Sequence, residues 1–448
     1  MRQENQGLLI YVPKLTHRVK YVFSLFFNHI LTVEYQLTTD TDAFLSWEGD
    51  KFSYGKDPIG DELFFASIGL LNERGVRHLD ISFIEYEGRI AFFPVFHKKS
   101  LFPFDLFAAS FYLVSRYEEY LPYKRDMYGR FGAKQSIAYR KKFLHLPMVN
   151  IWAFLLAEKF ETYFPNLEIV YPKYKFISTI DIDAAWAVLN KGMMRIVGGY
   201  MKDFSQLDFT HAMFRTKVLL GKKKDIFDSY DFIYKIHKRF KIKPIFFLLF
   251  AKYGMNDKNI PRSNGNFKEL IKSLADWSHI GIHPSFNSNG DSKLLYEEVE
   301  KLEKVLNREI GKSRQHFLKL ELPITYRNLV KEEIYEDYSM GYAARPGFRA
   351  SVATPFPFFD LDLDVMTKMK VYPFAIMDGT LRFYLGLNPI QAKRIYKQYI
   401  DETKKVGGVF VSLWHNESLS NKGDWKRWRE VFLDMFEEAN EKPINMGD

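Results

Sequence analysis

Phe176-Ile177-Ser178-Thr179-Ile180-Asp181-Ile182-Asp183 is an apolar run that closes on two acids two positions apart. Side chains at i and i+2 of a strand share one face, so Asp181 and Asp183 are expected to point the same way from its C-terminal end. Two acids placed so suit metal-assisted hydrolysis, one holding a cation while the other takes a proton from water. A lone D-x-D is more often a solvated strand end before a helix cap, so the downstream sequence has to decide.

Downstream, Gly281-Ile282-His283-Pro284-Ser285 and Val409-Phe410-Val411-Ser412-Leu413-Trp414-His415 each deliver a histidine from an apolar segment. A neutral imidazole there is a good metal ligand, although a single such histidine is commonly structural. Arg314-Gln315-His316 and Asp337-Tyr338-Ser339-Met340 lie between them, each near a further apolar stretch. Strand candidates at about 174–181, 244–250, 280–283, 316–320, 370–376 and 408–415 alternate with helical stretches at about 226–241, 266–278, 292–309, 389–405 and 425–440. That alternation predicts an α/β fold with a parallel sheet, expected as a distorted (β/α) barrel with its site at the strand ends.

This order of motifs resembles the polysaccharide deacetylase (NodB-homology) family, carbohydrate esterase family four, over about residues 174–440. The resemblance implies Asp181 as the base and Asp183 and His283 as metal ligands. The family's second histidine of H-[ST]-x-x-H falls at Asn287, so an amide oxygen from Asn287 or the imidazole of His316 would have to complete the set. By the same likeness Arg314 holds the base, Asp337 orients the acid histidine, and His415 in Leu413-Trp414-His415 protonates the leaving amine. Arg345 to Ser351 and Tyr372 to Asp378 are similar to a Bacteroidetes-type branch with an extra N-terminal domain of unassigned function.

The implied activity is metal-dependent hydrolysis of an N-acyl group on a carbohydrate or on a lipid- or nucleotide-linked glycan precursor, with zinc first and cobalt or nickel as alternatives. The missing second histidine supports a competing reading, a non-catalytic carbohydrate-binding protein that keeps the barrel. A glycosyltransferase using D-x-D for a nucleotide sugar accounts less well for the histidines.

The rest of the chain divides into a small α/β unit over 1–110, a helical connector over 111–173 and the barrel over 174–448. Helices are expected over Tyr21 to Leu31 and Asp61 to Arg74, and a hairpin turning at Glu87-Gly88. Arg116 and Glu119 read as an ordinary i, i+3 helix pair. With 42 Phe, 27 Tyr and no Cys among 448 residues, the chain has material for a packed core and excludes disulfides, thiolate zinc sites and a cysteine nucleophile. Nothing approaches the roughly eighteen consecutive apolar residues of a membrane span, and Met1 to Val12 lacks a signal-peptide pattern, so a cytoplasmic location is expected. The net charge of +9, with Lys222-Lys223-Lys224, comes without any nucleic-acid signature. It suits an anionic precursor or a peripheral contact with the inner membrane face. Ala184 to Lys224 is too long for an ordinary βα loop of ~2–6 residues and is expected to cover the mouth of the site.

Overall fold

The computed structural model describes residues 7–440. Four parallel strands open the chain, β1 (Leu8–Tyr11), β2 (Tyr35–Thr38), β3 (Lys51–Gly55) and β4 (Leu63–Ala66), in the order β2-β1-β3-β4. The expected buried helix begins at His17, where the Thr16 side chain caps the amide of Val19, and runs on as a π-helical stretch to Ile30. The expected helix over Asp61 to Arg74 is instead β4 followed by a single 3-10 turn, Leu70–Asn72. Phe64 and Phe65 are buried on the sheet there, and Gly69 breaks the segment with φ +89°. Tertiary burial of a short aromatic run has overridden its helical spacing.

The expected hairpin forms as β5 (Phe83–Tyr86) and β6 (Arg89–Phe92), with φ of 51° at Glu87 and 68° at Gly88, the conformation a tight two-residue turn demands. Helices Leu106–Val114 and Met148–Tyr163 then pack an aromatic core in which Phe107 meets Phe23 at 4.7 Å and Phe65 at 5.4 Å.

The larger sheet comprises β7 (Lys175–Ile182), β8 (Ile245–Leu248), β9 (His279–Ile282), β10 (Lys312–Ser313), β11 (Glu336–Asp337), β12 (Phe356–Asp360), β13 (Val365–Val371), β14 (Ile376–Met377) and β15 (Val409–His415). Its order is β12-β13-β11-β10-β9-β8-β7-β15-β14, parallel except for β12 against β13. The parallel α/β sheet expected from the alternation is present, with helices Tyr230–Phe240, Gly265–Ala275, Ser292–Leu306, Pro389–Lys405 and Trp428–Asn440 close to their expected bounds. A closed barrel is not formed among the described residues, because β12 and β14 each pair on one side only. Nor is there a strand over 316–320, where residues His316–Leu318 form a turn. No helix among the described residues is long and apolar enough to cross a membrane.

The two sheets are joined by buried charge. Arg116 takes the left-handed conformation, φ 55°, at the start of a 3-10 turn rather than a place on an exposed helix. It donates to Glu119 at 2.7 Å and Glu118 at 2.9 Å, and Glu119 in turn accepts from Arg349 at 2.5 Å. Arg116, Glu119 and Arg349 are all buried, so the pair read as an ordinary helix contact is one of the links between the N-terminal and C-terminal halves, beside Arg18 on Asp364 and Asn150 on Thr354. Burial alone would raise the pKa of Glu119, but Arg349 and Arg116 outweigh it and hold the carboxyl below its usual range. Glu119→Gln would leave two buried guanidinium groups undercompensated, and denaturant unfolding should show a loss of about 3–5 kcal/mol. Arg427→Ala, in the exposed Arg427–Glu430 pair, should leave the unfolding midpoint unchanged.

Candidate active site

Register brings the first polar groups together. β15 runs beside β7 with His415 opposite Asp181, and β8 on the other flank places Phe247 opposite Asp181 and Gly281 of β9 opposite Phe247. Gly281 is required for that neighbourhood, since a Cβ there would lie 2.5 Å from the Phe247 ring and 2.9 Å from the Lys312 carbonyl. His283 follows at the exit of β9. Its Nε2 stands 3.2 Å from Asp183 Oδ1 and 4.0 Å from Asp181 Oδ2, as expected of two acids sharing a face.

Arg314, fully buried, donates from Nη1 to Asp181 Oδ1 at 2.9 Å and to Thr179 Oγ1 at 2.7 Å, and from Nε to the Tyr338 carbonyl at 3.0 Å. Its own carbonyl accepts from His283 Nδ1 at 2.5 Å, which turns Nε2 of that ring toward Asp183. His316 is swung in by two consecutive non-glycine residues with positive φ, Phe317 at 58° and Leu318 at 54°. Such backbone is strained and persists only when its surroundings hold it. Here Arg130 donates from Nη1 to the Phe317 carbonyl at 2.7 Å, and the Tyr128 ring packs on Phe317 at 4.8 Å. His316 Nε2 then lies 3.6 Å from Asp183 Oδ2, with Nδ1 held by Asp257 at 2.8 Å.

Two of the sequence-predicted residues are placed elsewhere. Asn287 is exposed on the turn after His283, outside the group Asp183, His283 and His316 whose ligand atoms lie within 4.8 Å of one another. Asp337 does not reach His415: it accepts from Ser313 at 2.8 Å, Ser339 at 2.7 Å and Tyr326 at 3.0 Å, deep in the sheet. The carboxylate on His415 is Asp378, which holds Nδ1 at 2.8 Å and the backbone N–H at 2.8 Å. Strand order explains the exchange, because β14 pairs directly with β15 while β11 is four strands from β7. Asp378 closes the segment Tyr372 to Asp378, and its place at a strand end was the available signal. Asp257 and Arg130 carried none, for both sit in loops far from the motifs.

Asp181, Asp183, His283, His316 and His415 face a cavity of about 240 Å³ lined also by Phe317, Met377, Phe383, Tyr384, Leu413 and Trp425. None of residues 184–224 lines it, so the expected cover over the mouth stands beside the site instead. The donor set fits a divalent cation: one carboxylate and two imidazoles, each ring fixed through its other nitrogen, with Asp183 Oδ1 shielded from solvent and without a hydrogen-bond partner. The electrostatics agree. Burial would raise Asp183, but His316, His283 and His415 outweigh it and hold the carboxyl well below its usual range. Burial would lower His316, yet Asp183 and Asp257 lift it to about 9. His415 is likewise held well above the ordinary imidazole value, burial being outweighed by Asp378, Asp183 and Asp181. The site favours positive charge, which a metal ion can supply in place of protons.

A family model described as a family of unknown function, DUF7033, matches residues 8–165. No curated protein matches the chain. Among solved structures, a candidate polysaccharide deacetylase from Mycobacterium smegmatis is similar at 14% identity over 59% of this chain and 84% of that one, with a TM-score of 0.38. BA3943 from Bacillus anthracis, a CE4 family pseudoenzyme, is similar at 12% identity over 60% of this chain and 63% of its own, with a TM-score of 0.30. The polysaccharide deacetylase Bc1974 from Bacillus cereus is similar at 10% identity over 60% and 90%, with a TM-score of 0.27.

Elemental analysis of the zinc-dialysed protein should find metal retained by wild type and Asn287→Ala and lost from Asp183→Ala, His283→Ala and His316→Ala. Asp257→Ala, which removes the carboxylate on His316 Nδ1 and on the Phe286 amide, should weaken affinity by about 10–100-fold.

Proposed function

We propose that this protein is a metal-dependent hydrolase that removes an N-acyl group from an amino sugar, as the resemblance to carbohydrate esterase family four implies. One observation carries the reading: an Asp-His-His donor set, a second carboxylate clamped by a buried arginine, and a carboxylate-held histidine all face one cavity. Asp183, His283 and His316 would hold the cation, zinc first for a mixed nitrogen and oxygen set of this kind. When bound, the cation supplies Lewis acidity to the amide carbonyl and to water.

Asp181 is the group placed to take the water proton. Arg314 fixes its Oδ1, leaving Oδ2 on the side of His283, so the arginine acts as a positioning residue. His415 is the acid. Asp378 occupies Nδ1, turning Nε2 to within 3.9 Å of Asp183, and the surrounding carboxylates keep the ring protonated for delivery to the departing amine. Phe317, Phe383 and Trp425 offer apolar faces on which a pyranose ring can pack.

The test is release of acetate from N-acetylglucosamine oligomers by the zinc-loaded protein, with free amine appearing in equal amount. Asp181→Asn and Asp378→Asn should each retain metal and lose about 10²–10⁴-fold in kcat. Oligosaccharide binding by the zinc-loaded wild type without acetate release would establish the non-catalytic binder in its place.

A further inference from the structure

Between the end of β7 and the helix at Tyr230 the chain builds a helical hairpin, Met193–Ser205 and Phe209–Leu219. Its interior is ionic. Asp203 is buried and accepts from Arg215 Nε at 2.9 Å, with His211 Nδ1 at 2.8 Å. Gly199 permits that pair, since a Cβ there would lie 2.5 Å from Arg215 Nη1. The outside is apolar: Met193, Met194, Val197, Met201, Phe204 and Phe209 are all exposed, Met194 by 89% and Met193 by 76%. Positions 193, 197, 201 and 204 share one helical face. A hairpin packed only for water would be arranged the other way round, with its apolar face covered and its charges outside.

The charge on the hairpin is one-sided. Residues 193–224 carry seven Lys or Arg against two Asp. Asp203 is consumed by the Arg215 pair, and Asp208 caps the second helix through the His211 amide at 2.9 Å. Lys202, Lys222 and Lys223 are exposed. The hairpin is also fastened to the site. Arg195 donates to the carbonyls of Asn259 at 2.8 Å and Lys258 at 2.7 Å, beside the Asp257 that holds His316, and Asp225 accepts from the amides of Ala187, Val188 and Leu189.

We propose that this hairpin seats the protein on an anionic membrane surface, its methionine and phenylalanine face entering the headgroup boundary and its lysines meeting lipid phosphates. Exposed apolar side chains accompanied by lysine fit that occupant. They fit a protein partner less well, because lysine is depleted from protein–protein interfaces. Because Arg195 ties the hairpin to the loop that carries Asp257, the substrate class becomes an N-acyl amino sugar carried on a membrane lipid; that second step rests on the hydrolase reading, whereas the docking does not.

Co-sedimentation of the full chain with phosphatidylglycerol–phosphatidylcholine vesicles, and with phosphatidylcholine alone, tests the docking without any substrate. Wild type should pellet with the anionic vesicles in a salt-sensitive manner. The double variants Lys222→Glu/Lys223→Glu and Met194→Ser/Met201→Ser, all at exposed positions, should each weaken binding by about tenfold or more with circular dichroism and metal content unchanged. Wild type remaining in the supernatant with anionic vesicles would overturn the proposal, as would unchanged binding by either variant. So would a wild-type dimer dissolved by Met194→Ser/Met201→Ser without vesicle binding, which would identify a second copy as the occupant. Docking by a protein that, in the separate assay, deacetylates neither N-acetylglucosamine oligomers nor an N-acetylated amino sugar carried on a lipid would sink the hydrolase reading alone.

Discussion

One buried guanidinium organises the end of the large sheet at which the cavity opens. Arg314 is fully buried, and its charge is met by Asp181, by Thr179 and the Tyr338 carbonyl, and by the rings of Phe247 at 4.7 Å and Phe374 at 5.7 Å. Removing one partner of such a pair typically costs about 3–5 kcal/mol because a charge is left uncompensated, so the strands carrying those partners are held in fixed relation. The same residue works through its backbone: its carbonyl fixes the tautomer and orientation of His283. Asp181 and His283 are thereby positioned by two ends of a single residue.

The three histidines are distinguished by what holds the nitrogen away from the cavity. His283 leans on a neutral carbonyl, His316 on the carboxylate of Asp257, and His415 on the carboxylate of Asp378. Burial would lower both carboxylate-held rings, yet Asp183 with Asp257 lifts His316, and Asp378 with Asp183 and Asp181 lifts His415. His316 and His415 differ in turn by position, since the ligand atoms of His316 group with those of Asp183 and His283 while His415 lies on the far flank at 3.9 Å. Similar carboxylate partners therefore hold imidazoles on two sides of one cavity.

The N-terminal half is part of this arrangement. Its buried Arg116–Glu119–Arg349 chain ties it to the segment after β11, and Arg130 secures the strained turn that delivers His316. Two left-handed bulky residues in succession need external support, and a loop of the N-terminal half provides it. The region matched by the family of unknown function thus includes a residue on the wall of the cavity.

Periodicity made the α/β alternation readable, and the i, i+2 spacing placed Asp181 and Asp183 on one face, because both depend on neighbours a few residues away. His283 and His415 were legible for the same reason, each sitting at the exit of an apolar run, whereas Arg314 follows Gly311-Lys312-Ser313 and was read from the order of motifs. What tertiary structure alone decided are the choices between equivalent local signals. Asp337 and Asp378 both close short strands, and only the strand order puts the second beside His415. Asn287 stands at the expected spacing after His283, yet the turn there points it to solvent, while His316 enters through backbone conformations that no side-chain pattern announces. The burial of Arg116 with Glu119 likewise arises from a contact with Arg349, 230 positions from Glu119. Local sequence sets which way a side chain leaves its own element; which side chains meet is set by the packing of distant elements, where burial and charge compensation select one partner among several.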